Sequence, residues 1–178
     1  MTPERGTALT AGRLALAVGL IVYAATLVWI ALTGPDPLPA HLGAAGEPTR
    51  WESKAWVIGV QAIIGVVLLA VVLGCRALAS RASPELLSLP SAPAKEYWTT
   101  PQRRGELNRR LNSDLELIFG LTFLLVSWVA AGLVRAADGS GDPTLTVAIL
   151  VYAALLVAVT LVMFNGQRYR APEGWTHD

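Results

Sequence analysis

Four apolar stretches, residues 14–33, 55–75, 115–134 and 144–164, decide what this chain can become. Each has about 20 residues, the length at which a helix rising about 1.5 Å per residue crosses a hydrocarbon core. Charged residues make up 15% of the 178-residue chain and nearly avoid these stretches; a soluble chain carries about a quarter. The expected fold is therefore all-α: a polytopic bundle of four transmembrane helices, with too little chain left for a separate soluble domain. The first stretch is longer than a signal-peptide core and follows Arg5 and Arg13, which suits an uncleaved anchor. Cys75 is the only cysteine, so neither an intramolecular disulfide nor a thiolate cluster is expected.

The cations are unevenly divided among the connections. Eleven Lys and Arg lie before the first stretch, between the second and third, and after the fourth. Only Arg50, Lys54 and Arg135 lie in the other two connections. Positive residues gather on the cytoplasmic side, so both termini and the long middle connection are expected inside, and residues 34–54 outside. Three parts follow: residues 1–78, a pair of spans with its outer loop; 79–114, a basic cytoplasmic linker and amphipathic helix; and 115–178, a second pair of spans and a cytoplasmic tail.

The outer loop opens with Pro35, Pro37 and Pro39, which favour a stiff extended path. Thr49-Arg50-Trp51-Glu52 fits a capping box, so the second helix is expected to begin near Arg50, with Trp51 and Trp56 at the outer interface. Residues 80–94, rich in Ser, Pro and Ala, read as irregular linker. Thr100 and Pro101 suit the cap and first position of a helix. Leu107, Leu111, Leu115 and Ile118 recur at helical spacing, so an amphipathic helix should run into the third span, bent or straight. Tyr97 and Trp98 suit an anchor at the inner interface. The short turn-rich connection 136–143 predicts antiparallel neighbours. Ala15/Gly19 and Ala154/Ala158 are pairs of small residues that permit close helix contact.

The outer loop, with Leu38, Pro39, His41, Gly46, Glu47, Pro48, Trp51, Ser53 and Lys54 in their order, resembles a membrane domain of unknown function found in bacterial SdpI-like proteins. The match covers roughly residues 14–77. Lys95-Glu96-Tyr97-Trp98 followed by Pro101 is similar to a cytoplasmic segment of that group. The resemblance implies a multi-pass protein of a bacterial plasma membrane. Some members confer immunity to a secreted toxic peptide, and some hold a transcriptional repressor at the membrane. The larger members carry more spans and a further C-terminal domain, which this chain does not match.

His41, Glu47, Arg50, Trp51 and Lys54 are the candidate ligand-binding residues of the outer loop. His41 titrates near external pH and suits a sensor or ligand contact; the other reading is a hydrogen bond to a loop carbonyl that fixes the fold. Arg50 and Lys54, one helical turn apart, suit a lipid headgroup or a peptide carboxylate. Alternatively they snorkel to the interface and pair with Glu47 or Glu52. Lys95, Tyr97, Trp98, Arg103, Arg104, Arg109 and Arg110 are candidates for binding the inner leaflet or a cytoplasmic protein. Asp114 and Glu116, at the edge of the third span, read as surface carboxylates paired with Arg109, Arg110 or the basic tail. Gln61 is an amide well inside a span and, with the hydroxyls of Thr26, Thr122, Ser127, Thr146 and Thr160, suits contacts between helices.

No metal, cofactor or nucleic-acid partner is expected. His41 lacks companions for zinc, His177 falls on the other side, and acidic residues dilute the basic loop. No catalytic arrangement is recognisable, so the chain reads as a non-enzyme. The first hypothesis is a receptor-like or immunity-type protein that meets an extracellular peptide or lipid. The second is an accessory or scaffold subunit, in a homo- or hetero-oligomer formed through the spans. A permease is disfavoured by spans without interior charge.

Overall fold

The computed structural model describes residues 10–165, 167–172 and 175; Arg5 and His177 lie outside them. Helix α1 (Ala11–Thr33) leads to strands β1 (Leu38–Leu42) and β2 (Pro48–Glu52), then α2 (Lys54–Arg81), α3 (Ala92–Thr99), α4 (Pro101–Arg135) and α5 (Thr144–Asn165). Four of these helices are long and apolar enough to cross a bilayer. The chain is an all-α, multi-pass membrane protein with, among the described residues, one small two-stranded sheet.

The 35-residue α4 organises the bundle. At about 1.5 Å per residue it is longer than the roughly 30 Å hydrocarbon core, so its Arg-rich start projects from the membrane. We call that side the basic end and the other the hairpin end. The helix runs without interruption through Asp114 and Leu115, where the amphipathic segment meets the span. Thr100 and Pro101 stand where a cap and first turn were expected. The Thr100 hydroxyl nevertheless donates to the Tyr97 carbonyl (3.0 Å), and its own carbonyl accepts from Arg103 and Arg104.

Helix α1 buries Gly12, Gly19, Tyr23 and Ile30, a stripe at heptad-like spacing. Its small residues admit α4 to backbone contact. A Cβ at Gly120 would lie 2.5 Å from the Ala15 carbonyl, and one at Gly12 would collide with the Ser113 carbonyl oxygen. Such close approach replaces the hydrophobic drive that is missing inside lipid. The Ala15/Gly19 pair thus lies in a helix contact. Ala154 and Ala158 do not: both are exposed on α5.

Midway along, Tyr23 donates to the Gln61 carbonyl and lies 3.2 Å from its Oε1, and its ring is 5.6 Å from Phe123. One buried knot therefore ties α1, α2 and α4. Thr122 and Tyr152 join α4 to α5 through hydroxyls 2.7 Å apart. Thr26 and Ser127 instead bond carbonyls in their own helices.

Three local expectations need correction. Residues 49–52 do not start α2; they belong to β2, and Ser53 caps α2 by accepting from the Trp56 amide (3.3 Å). A β-branched and aromatic run pairs as strand when a partner strand is at hand. Residues 80–94 contain the end of α2, a 3₁₀ turn at Pro84–Leu86 and the start of α3, capped by Ser91 (3.3 Å). Tyr97 and Trp98 are not interfacial anchors. They are buried with Ala94, Leu107 and Tyr169 in a core at the basic end, where the Trp98 indole donates to the Tyr169 carbonyl (3.0 Å).

Gly120→Ala should destabilise the protein by about 1–3 kcal/mol, because α1 cannot yield its backbone. Gly59→Ala, which meets nothing within 4 Å, should be neutral or stabilising by up to about 1 kcal/mol. Thermal unfolding in detergent distinguishes the two; equal losses would refute the close α1–α4 contact.

Candidate functional site

Four of the five outer-loop candidates fall on one β-hairpin and its turn, and Lys54 begins α2. Leu38 pairs with Glu52, Pro39 with Trp51, His41 with Arg50, and Leu42 with Pro48. Gly46 turns the chain at φ +84°, a conformation that favours glycine. The Gly43 amide closes the turn on the Glu47 carbonyl (2.8 Å), and Glu47 Oε2 accepts from the Ala45 amide (3.0 Å). β1 faces the bundle: Leu38 is fully buried with Ile30, Val57, Ala130 and Leu133. β2 faces outward, with Thr49, Arg50 and Trp51 exposed.

His41 is exposed and binds a hydroxyl rather than a loop carbonyl. Its Nδ1 is 2.6 Å from Thr49 Oγ1, and Thr49 donates to the His41 carbonyl (3.3 Å). That geometry suits the Nδ1–H tautomer and leaves Nε2 free to accept. Arg50 binds Glu52 at 2.6 Å and stacks 5.0 Å over Trp56, yet its side chain stays 57% exposed. Lys54 is not one helical turn beyond Arg50, because the two stand on different elements. Its ammonium donates to the Gly34 carbonyl (3.0 Å) and its amide to Asp36 (3.0 Å), so Lys54 closes the loop onto the end of α1.

What holds the hairpin was not among the candidates. Asp142, buried in the turn before α5, accepts from Arg135 at 2.7 and 3.0 Å and from the Thr144 hydroxyl (2.6 Å) and amide (3.1 Å). Its own amide donates to the Gly46 carbonyl (3.1 Å), and a Cβ at Gly46 would collide with its backbone. Burial pushes the Asp142 carboxyl upward, but the hydrogen bonds from Thr144 and Arg135 outweigh it and hold the group below the usual range. An Asp two residues before a helix that begins with Thr is a readable capping signal.

At the basic end the candidate cations split. Lys95 donates to the Glu85 carbonyl (3.1 Å). Arg104 closes the end of α2 on the carbonyls of Ala79 (3.0 Å) and Ala82 (2.7 Å). Arg103 stacks on Tyr97 at 5.0 Å and Arg110 on Trp98 at 4.5 Å. Arg109 and Arg110 both pair with Glu106. Asp114 and Glu116 are not surface groups, since both are buried. Asp114 binds Arg168 of the tail at 2.8 Å and accepts from the Tyr169 hydroxyl; Glu116 binds Arg76 of α2 at 3.0 Å. Burial, then the contact with Asp114, push the Tyr169 phenol upward, so it remains a donor. The readable signal was Glu116 itself, an acid at the very edge of an apolar run, where a carboxylate drawn out of water demands a cation. Neither polar region brings three His, Cys, Asp or Glu together among the described residues.

Asp142→Asn should loosen the hairpin by about 2 kcal/mol, given a charged hydrogen-bond set partly open to solvent through Arg135. Because the folded Asp142 titrates below its unfolded value of about 3.9, its contribution is present above that value and is lost as pH falls through the folded one. The protection of the Asp142 amide, which is its exchange relative to the intrinsic rate at each pH, should fall on acidification in the native chain and already be low at neutral pH in the variant. Unchanged protection would refute the tie. Comparisons with protein-family models, curated proteins and solved structures return no match.

Proposed function

We propose that this chain is a non-enzymatic, receptor-like or immunity-type membrane protein whose hairpin receives an extended segment of an external peptide along β2. The carrying observation is the asymmetry of the hairpin. β1 is packed on the bundle, while β2 has β1 as its strand neighbour and turns Thr49, Arg50 and Trp51 outward. An outer strand edge offers main-chain hydrogen bonds to an added strand. Arg50 supplies a partner for a carboxylate, Trp51 and Trp56 are each 43% exposed, and exposed Trp and Arg are the usual anchors of such contacts. The division of cations supports an orientation with the hairpin outside and both termini in the cytoplasm. The SdpI-like motif supports a bacterial plasma membrane and an immunity-type role.

A second reading, an accessory subunit, draws on α5. None of its most apolar window is buried within the chain, and an apolar groove between α4 and α5 is lined by Leu121, Leu125, Trp128, Ala148 and Leu155. A photo-crosslinker at Trp51 in native membranes separates the readings. A discrete peptide adduct, reduced tenfold or more by Arg50→Glu at unchanged abundance, is the receptor outcome. One integral membrane protein that co-purifies regardless of Arg50→Glu is the accessory outcome. Adducts to bulk lipid alone would remove the receptor reading.

A further inference from the structure

A polar cleft of about 410 Å³ opens at the basic end, between the first turn of α1, the projecting part of α4 and the tail. Three segments distant in sequence build it. Gly12 lets the α1 backbone rest on Ser113, which brings Thr10 and Ala11 beside the Arg109–Arg110 turn of α4. The tail contributes Arg168, anchored on buried Asp114 at 2.8 Å, with Tyr169 fixed to the same carboxylate. Arg110 is braced by Glu106 at 2.9 Å and by the Trp98 ring, and donates to the Arg168 carbonyl.

Three arginines from two elements thus line one cleft, with Glu106 beside them and Asp114 paired to Arg168; among the described residues these five side chains sum to one positive charge. Each guanidinium has five N–H donors, and the side chains of Arg109 and Arg168 remain 60% and 40% exposed. The braced geometry reduces the ordering cost of binding. Separate forks converging on one volume suit the several acceptor oxygens of a phosphate group. Ala11 stands one turn before the apolar run of α1, so the cleft lies at headgroup depth.

We propose that this cleft binds a phosphate-bearing anion, with Arg109, Arg110 and Arg168 as its ligands and Glu106 as the competing internal anion. A lipid headgroup in the adjoining leaflet and free phosphate in water are two sources of the same chemistry. The site is separate from the hairpin and independent of the peptide reading.

The full chain would be placed in phosphatidylcholine nanodiscs with and without phosphatidylglycerol, and retained lipid would be counted by native mass spectrometry. Inorganic phosphate would be added in a parallel arm. Arg109→Gln should lower phosphatidylglycerol retention about fivefold, the worth of one well-placed arginine. Arg103→Gln, at the same end but on the Tyr97 ring, should not. Glu106→Gln should raise retention, an opposite sign that misfolding cannot produce. Displacement of the lipid by inorganic phosphate would identify a site open to the free anion; retention in its presence would identify the headgroup. Equal losses for Arg103→Gln and Arg109→Gln would reduce the effect to diffuse surface charge and overturn the site. So would binding of neither probe.

Discussion

The contact between Arg135 and Asp142 organises the hairpin end. Arg135 closes α4, Asp142 opens α5 through Thr144, and the Asp142 backbone receives the hairpin turn at Gly46. A single buried residue therefore joins two helices through its carboxylate and the hairpin turn through its backbone amide. An isolated two-stranded hairpin is marginal in water. Here it gains Leu38 in the bundle core, the Lys54 closure onto Gly34 and the Asp142 tie. The exposed face of β2 is therefore carried on a support fixed to the helices.

The other end follows the same physics with more partners. Asp114 and Glu116 are buried, and a buried carboxylate without a cation is costly. Arg168 and Arg76 meet that need, and in doing so draw the tail and α2 onto α4. The aromatic core of Tyr97, Trp98 and Tyr169 then packs outside the apolar span. Between the two ends, cohesion comes from close backbone approach at Gly19 and Gly120 and from the Tyr23–Gln61 knot. These are the means available where lipid removes the hydrophobic drive between helices.

Much of this was legible in the chain. The apolar runs located the four spans, because membrane thickness sets their length. Ala15 and Gly19 marked a true helix contact, whereas Ala154 and Ala158, equally small, lie exposed. Small residues permit approach without saying which helix arrives. The Thr49–Glu52 pattern misled because a capping box and a short strand share residue types; the pairing of His41 with Arg50 and of Pro39 with Trp51 decided for strand. The basic tail was among the partners expected for Asp114, and Arg168 fills that place; its burial was hidden because Tyr169, which covers it, is more than fifty residues away. His41, Glu47, Arg50 and Trp51 lie on the hairpin and its turn, whereas Lys54 starts α2 and turns inward to close the loop.

The most direct test of a fixed hairpin is a distance across the Asp142 tie. Spin labels at Ala44→Cys on the hairpin turn and Ser140→Cys in the connection before α5, both exposed positions, would be introduced with Cys75→Ser to remove the native thiol. Double electron–electron resonance in lipid nanodiscs then reads their separation. A docked hairpin gives one narrow distribution. A broad or two-peaked distribution at neutral pH would contradict it, and with it the reading of the outer strand as a positioned recognition surface.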